Sequence, residues 1–242
     1  MCLWAGKAVL CEKPFAINAG EAAEMIRLAR ERKLFLMEAM WTRFFPLMVK
    51  LREMLASDTI GEVRMLMADF GYRSEDLKFW AFNPAFGGGG LLDVGIYPLS
   101  LSYMIFGPPN KILSMASIGE TGVDEQSAAL LGYEGGRIAL ISSGVRTETP
   151  HVAYLLGTKG RIHIHSPWWK PQTLTLSLTG REDEVMQIPF KGNGYNYEAE
   201  EVGRCLREGK TESPTMSLDE TLSLMKSMDT IRAQWNLKYP ME

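Results

Sequence analysis

The pattern of apolar and polar positions divides the chain into two textures. In Lys7-Ala8-Val9-Leu10-Cys11-Glu12-Lys13-Pro14 the apolar core does not alternate, which predicts a short parallel strand covered on both faces. Pro14 cannot donate to a ladder and stops the strand. Asn18 caps the next segment, with Glu21 three residues on as its capping-box partner. From Ala19 to Arg32 the residues Ala22, Met25, Ile26 and Ala29 fall at helical spacing, and Leu34 to Met40 is again an apolar strand. Strand, helix and strand in this order predict a parallel pair. Such a unit leaves edges and apolar faces that it cannot cover alone.

From residue 41 onward the pattern changes. Leu47, Met48, Leu51 and Leu55 form the stripe of an amphipathic helix over Arg43 to Leu55, and Val63 to Phe70 reads as a strand. A helix over Leu91 to Phe106 ends at Gly107-Pro108-Pro109. Seven strands then follow closely: Lys111 to Ile118, Gln126 to Tyr133, Arg137 to Val145, His151 to Leu156, Arg161 to His165, Thr173 to Leu178 and Val185 to Pro189. With no helices between them they predict antiparallel pairing in one large open sheet. Helices over Tyr195 to Glu208 and Leu218 to Trp235 close the chain, the last opened by a capping box from Ser217 to Glu220. The expected class is α/β: a remnant of a Rossmann-type parallel sheet (1–40), then an α+β domain with a large, mostly antiparallel open sheet (41–242). In Ile138-Ala139-Leu140-Ile141 and in the alternation of Leu174, Leu176 and Leu178 the sequence marks a buried sheet face.

Composition narrows the partners. The 242 residues are 46% hydrophobic and 23% charged with a net charge of −3, which is the make-up of a folded domain and gives nucleic acid no electrostatic foothold. No apolar run is expected to reach the roughly 20 residues of a membrane span. Cys2, Cys11 and Cys205 show no metal spacing and predict a reduced, cytoplasmic compartment. His151, His163 and His165 form no metal constellation, so no metal site is expected.

Several residues can carry chemistry. Lys13 stands at the carboxyl end of a parallel strand, where open α/β sheets bind ligands. Asp93 and Tyr97, four apart at a helix start, share a face. Trp41 and Arg43 follow a strand's carboxyl end, and with Phe70 and Phe79-Trp80 they are candidate pocket walls, core packing being the alternative use of each; Trp168 and Trp169 are candidates to flank the pocket, with a sheet edge as their alternative. The dinucleotide fingerprint Gly-x-Gly-x-x-Gly is absent near the N-terminus, and Gly87-Gly88-Gly89-Gly90 follows no predicted strand.

Three blocks carry a family resemblance: Ala5 to Pro14, Met37 to Pro46 and Gly88 to Pro98. Gly122-Val123-Asp124, Gly157 to Gly160, Tyr197-Glu198-Ala199 and Glu212-Ser213-Pro214 extend it in order. The sequence resembles the glucose-fructose oxidoreductase / inositol dehydrogenase (Gfo/Idh/MocA) superfamily and, within it, the dimeric dihydrodiol dehydrogenase and NADP-dependent xylose dehydrogenase branch. The resemblance implies NADP or NAD as cofactor and a small carbohydrate or diol as substrate. Hydride transfer at a CH–OH carbon and a homodimer paired through the open sheet are also implied. It implies Tyr97 as proton-transfer group in place of the histidine of most relatives, with Lys13 lowering its pKa and Asp93 orienting Lys13 or the substrate, or capping the helix. Glu12, Lys13, Pro14, Trp41 and Arg43 are implied at the cofactor, and Trp41, Phe70, Trp80 and Tyr97 at the substrate. It further implies that the chain begins near the fifth strand of the nucleotide-binding domain, with roughly 80 residues upstream at about 30 per strand-helix unit. On that ground the expected alternative is an inactive fragment that folds and oligomerises through its sheet.

Overall fold

The computed structural model describes residues 1–242. β1 (Val9–Glu12) and β2 (Leu36–Ala39) pair in parallel, Val9 opposite Leu36 and Glu12 opposite Ala39, with α1 (Ala19–Glu31) between them. Only β2 is buried along its whole length. β1 alternates, with Leu10 and Glu12 exposed, because this two-stranded sheet has no layer on its second face; the expectation of a strand covered on both sides is corrected for β1. Asn18 Oδ1 accepts from Glu21 N at 2.9 Å as predicted, while Glu21 reaches back to Ile17 N.

The predicted helix after Trp41 splits. Trp41–Phe44 is a short 3-10 turn, and Pro46, which has no N–H and suits the first helical position, opens α2 (Pro46–Ala56). β3 (Val63–Gly71) leads to α3 (Ile96–Phe106), preceded by a π-helical turn over Leu91–Gly95. The stretch 84–106 is, by length and composition, apolar enough to cross a membrane, contrary to the expectation from sequence. In the fold most of it is buried as the central helical layer.

The remaining strands are β4 (Lys111–Ile118), β5 (Asp124–Gly132), β6 (Ile138–Gly144), β7 (Ala153–Gly157), β8 (Gly160–Ile164), β9 (Thr173–Leu178) and β10 (Glu184–Gln187). With β3 they form one eight-stranded sheet in the order β10-β9-β8-β7-β3-β6-β5-β4. Chain neighbours pair antiparallel as expected, except that β3 inserts between β6 and β7 and runs parallel to β6, Met65 opposite Ile138 and Gly71 opposite Gly144. α4 (Tyr195–Arg207) and α5 (Leu218–Gln234) complete the chain.

One face of the sheet, with Leu66, Ala139, Ile141, Leu155, Ile162, Ile164, Leu174 and Leu176, packs into the main core with α3 and α5. The other face is bare and carries Met67, Leu113, Met115, Leu130 and Leu140. Met115 is 81% exposed.

Candidate active site

The site forms where the end of β1 meets the start of α3. Lys13 follows β1 directly, and its chain crosses to the π-turn. Its Nζ donates to the Asp93 carbonyl oxygen at 2.6 Å and lies 3.4 Å from Asp93 Oδ1. The second carboxylate oxygen of Asp93 accepts from the Tyr72 hydroxyl at 2.8 Å. Asp93 thus orients Lys13, one of the roles open to it from sequence. Tyr72 was not singled out by sequence; its signal is that it directly follows β3, whose last residues also bring Phe70 to this end.

Tyr97 is 6% exposed. Its oxygen accepts from Trp41 Nε1 at 2.9 Å, and no protein atom accepts the phenolic hydrogen. That O–H is left for a ligand oxygen. Burial pushes the phenol above its ordinary value; the Trp41 N–H opposes this, while Tyr195 and the carboxylates of Asp93 and Glu12 add to it. Lys13 sits over the ring face, 4.9 Å from its centroid, rather than beside the oxygen. The expected lowering of Tyr97 by Lys13 is therefore corrected: desolvation wins, and the group is a neutral phenol.

Aromatic rings wall the site. Phe70 stacks on Trp169 at 3.4 Å and leans on Tyr97 at 5.4 Å. Trp41 stacks on Tyr195 at 4.4 Å, and sequence alone did not single out Tyr195. Thr42 Oγ1 donates to the Trp169 carbonyl and Trp168 Nε1 to that of Asp69, which fixes the tryptophan pair to the end of β3. Trp80 stands one shell outward, exposed on a 3-10 turn beside Phe79, which meets Tyr72 edge-on.

Of the residues expected at a cofactor, Glu12 ends β1 with an exposed side chain, and Pro14 follows Lys13 at the same strand end. Arg43 is corrected. It is 3% exposed, and its guanidinium donates to Ser100 Oγ, to the carbonyls of Ser100 and Thr215, and to Glu220. Its work is to tie the 3-10 turn to α3 and α5, and it is closed to a phosphate. The ion pair with Glu220 joins residues 177 apart in sequence, beyond any local signal.

A family profile described as oxidoreductase family, NAD-binding Rossmann fold, matches residues 1–40, and one described as GFO/IDH/MocA C-terminal domain matches residues 48–163. The trans-1,2-dihydrobenzene-1,2-diol dehydrogenase of Mus musculus is 40% identical over 253 residues, spanning 100% of this chain and 74% of the mouse protein. The chain belongs to the Gfo/Idh/MocA oxidoreductase family. The human dihydrodiol dehydrogenase is 39% identical over 249 residues, with the same coverage. Among solved structures, an aldose-aldose oxidoreductase from Caulobacter crescentus complexed with glycerol superposes with a TM-score of 0.86 at 23% identity, covering 96% of this chain and 71% of that one. A 3-ketoreductase from Actinomadura kijaniata in complex with NADP and TDP-benzene gives 0.85 at 22%, covering 96% and 72%. These two share the two-part fold, a small parallel sheet followed by a large mostly antiparallel one.

The family uses a nicotinamide dinucleotide, and residues 1–242 fit one end of it. Lys13, the free Tyr97 hydroxyl and the Phe70–Trp169 stack suit the reacting ring and a substrate oxygen. The pyrophosphate has no cradle in Gly87–Gly90: a Cβ on Gly88 would meet the Ala81 carbonyl at 2.6 Å, and one on Gly89 would collide with the Asp124 carboxylate. Protein atoms fill this loop. Asp124 Oδ2 accepts from Leu91 N at 2.7 Å, and the Tyr239 hydroxyl donates to the Gly88 carbonyl at 2.7 Å. The loop anchors the π-turn rather than a phosphate.

Proposed function

We propose that this chain carries the substrate side and the proton-transfer centre of an NAD(P)-dependent oxidoreductase acting on the CH–OH carbon of a trans-dihydrodiol or a sugar. It works as a homodimer in the reducing cytoplasm. The observation that carries the reading is the buried Tyr97 hydroxyl, held by Trp41 on one side and with its proton unaccepted on the other. In the reducing direction Tyr97 Oη gives that proton to the substrate carbonyl oxygen as its carbon gains a hydride. In the oxidising direction the alcohol proton passes to the phenolate. Lys13, over the ring face, brings a positive charge to the site. A bound nicotinamide supplies or takes the hydride. Because burial holds the phenol neutral at ordinary pH, reduction is served near neutrality and oxidation gains as the medium becomes alkaline. The aromatic walls favour a flat or ring-shaped substrate. The bare apolar sheet face, with a trough of about 830 Å³ among Met67, Leu113, Met115, Leu130 and Leu140, supports isologous pairing of two copies.

The test has two arms. Titration of the chain with NADPH, followed by fluorescence, is expected to show no micromolar saturation, since residues 1–242 hold no pyrophosphate cradle; micromolar binding overturns that part. The chain is then assayed with a trans-dihydrodiol and with D-xylose at millimolar NADP, alone and joined to the part of the mouse relative that the match leaves uncovered. Tyr97→Phe is expected to cut turnover roughly 100-fold or more with little change in KM. Turnover near wild type in Tyr97→Phe removes Tyr97 from the chemistry.

A further inference from the structure

Two irregular segments bring Lys13 and Asp93 together. Residues 13–18 run from the end of β1 to α1, and residues 87–89 run into the π-turn. The segments meet at Ile17 and Gly87, so closely that a Cβ on Gly87 would lie 2.5 Å from Ile17 Cδ1. Apolar contact of this kind has no direction, so it sets how near the segments come but not how they are aligned. Hydrogen bonds must do that, and the two segments make none to each other's backbone.

The bonds come from α5 and the residues after it. Arg232 is 3% exposed. Its guanidinium donates to both carboxylate oxygens of Glu242, at 2.7 and 2.9 Å, and to Asp229 Oδ1 at 2.8 Å. Nη2 also donates to the Ile17 carbonyl at 3.2 Å, a longer bond because its two hydrogens serve three oxygens. Asp229 Oδ2 accepts from Ala19 N at 2.8 Å, and Glu242 Oε1 accepts from Asn18 Nδ2 at 3.1 Å. Three consecutive residues, Ile17, Asn18 and Ala19, are thus each held by a member of one cluster. The same cluster reaches the other segment. The guanidinium lies 4.9 Å from the Tyr239 ring centroid, and Glu242 Oε2 accepts from Tyr239 N at 2.9 Å. Tyr239 is 2% exposed, and its hydroxyl donates to the Gly88 carbonyl at 2.7 Å. The next carbonyl, that of Gly89, accepts from Asp93 N at 3.3 Å.

We propose that Arg232 is a positioning residue: with Asp229, Glu242 and Tyr239 it clamps residues 17–19 to Gly88 and so fixes the alignment in which Lys13 meets Asp93. Lys13 and Tyr97 take their own bonds elsewhere, so the cluster acts on them only through the two backbones. The bearing on catalysis rests on the reading of Lys13 and Tyr97 as the acid–base centre; the clamp itself does not.

The experiment reads Lys13 directly and needs no catalysis. The intact chain and its variants are acylated with a limiting amount of an N-hydroxysuccinimide ester. Labelling of Lys13 is followed by peptide mass spectrometry against Lys7, an exposed lysine on the same chain. Arg232→Met fills the space but gives no hydrogen bond, and Lys13 labelling is expected to rise roughly fivefold or more, the scale of one lost hydrogen bond to the Asp93 carbonyl. Ser217→Ala is the control: it removes the N-cap at the far end of the same helix and weakens the fold without touching the clamp. Its labelling is expected to stay within about twofold of wild type. Unchanged labelling in a folded Arg232→Met overturns the proposal. An equal rise in Ser217→Ala also overturns it, since general loosening then accounts for both. Circular dichroism checks the fold of each variant. If Arg232→Met does not fold, Arg232→Lys decides: a single ammonium keeps the charge but cannot serve Ile17, Asp229 and both oxygens of Glu242 together, and unchanged labelling there overturns the clamp. If labelling rises as expected while Tyr97→Phe keeps wild-type turnover, the clamp stands and the acid–base reading falls.

Discussion

Residues 1–40 and the eight-stranded sheet solve the same problem in opposite ways. The large sheet is held by its own ladders, seven paired positions between β3 and β6 and as many between β5 and β6. The small one has four paired positions and borrows the rest from the far end of the chain. Ala19 N donates to Asp229, Arg30 to Asp219, Leu36 N to the Thr211 carbonyl, Thr221 Oγ1 to Glu38, and Asn18 to Glu242. Lys13 comes from the borrowed unit and Asp93 with Tyr97 from the self-sufficient one. The candidate site is a seam, and its geometry depends on α5 and the C-terminal tail although neither contributes a group to the chemistry.

The comparison also predicts where each region is vulnerable. The large sheet needs no help with its ladders, but it has a bare apolar face. Leu113→Lys combined with Met115→Lys places charges on β4 that a paired face must desolvate, and each substitution occurs twice in an isologous dimer. The dimer is expected to dissociate at least about 100-fold more readily while the monomer keeps its fold, because these side chains lie outside the core. Sedimentation equilibrium with circular dichroism checks both parts. A wild-type chain that is monomeric at high concentration ends the dimer reading.

A smaller effect separates the regions by pH. Glu38 in β2 and Asp124 in β5 are both fully buried. Burial pushes each carboxyl up to about 7, against hydrogen bonds from Thr221 in the first case and from Leu91 N in the second. Their unfolded values lie near 4, so the native state holds these protons more tightly. Stability therefore falls as pH rises from about 4 through about 7. Glu198, also raised to about 7 by burial and the Glu12 charge, acts in the same direction. Glu242 is held down to about 2 by Arg232, and its contribution is lost only below that window. The thermal midpoint is expected to be higher at pH 5 than at pH 8, and Glu38→Gln is expected to reduce the difference. Equal midpoints in the wild type would show that these carboxyls ionise freely in the fold.

The elements were legible because their signals are local. Period-two and helical spacing, caps at Asn18 and Ser217 and glycine turns placed nearly every strand and helix. Lys13, Asp93, Tyr97 and Phe70 could be singled out as candidates, because strand ends and a helix start converge where ligands of such sheets bind. What sequence missed was non-local or without period. The parallel pairing of β3 with β6 joins segments about 70 residues apart, and nothing in either strand announces it. The π-turn lies in a stretch buried on all sides, where an apolar pattern cannot separate five-residue from four-residue spacing. Arg43 looked available because arginine usually is; its partner Glu220 lies in the borrowed C-terminal helix.

The smallest predicted effect tests the borrowing itself. Asn18 does two things at once: its Oδ1 caps α1 at Glu21 N, and its Nδ2 donates to Glu242 Oε1 at 3.1 Å. The first is local and the second reaches the tail. Asn18→Ala removes both, and the loss is expected to be about 1 kcal/mol, the usual cost of a deleted N-cap. Asn18→Ser keeps a capping oxygen but cannot span to Glu242, so the difference between the two variants separates cap from tail contact. The tail contact is exposed, and its share is expected to be no more than about 0.5 kcal/mol. Urea unfolding measures both. If Asn18→Ser is as damaging as Asn18→Ala, the tie to Glu242 outweighs the cap, and residues 1–40 depend on the C-terminal tail more than on their own helix.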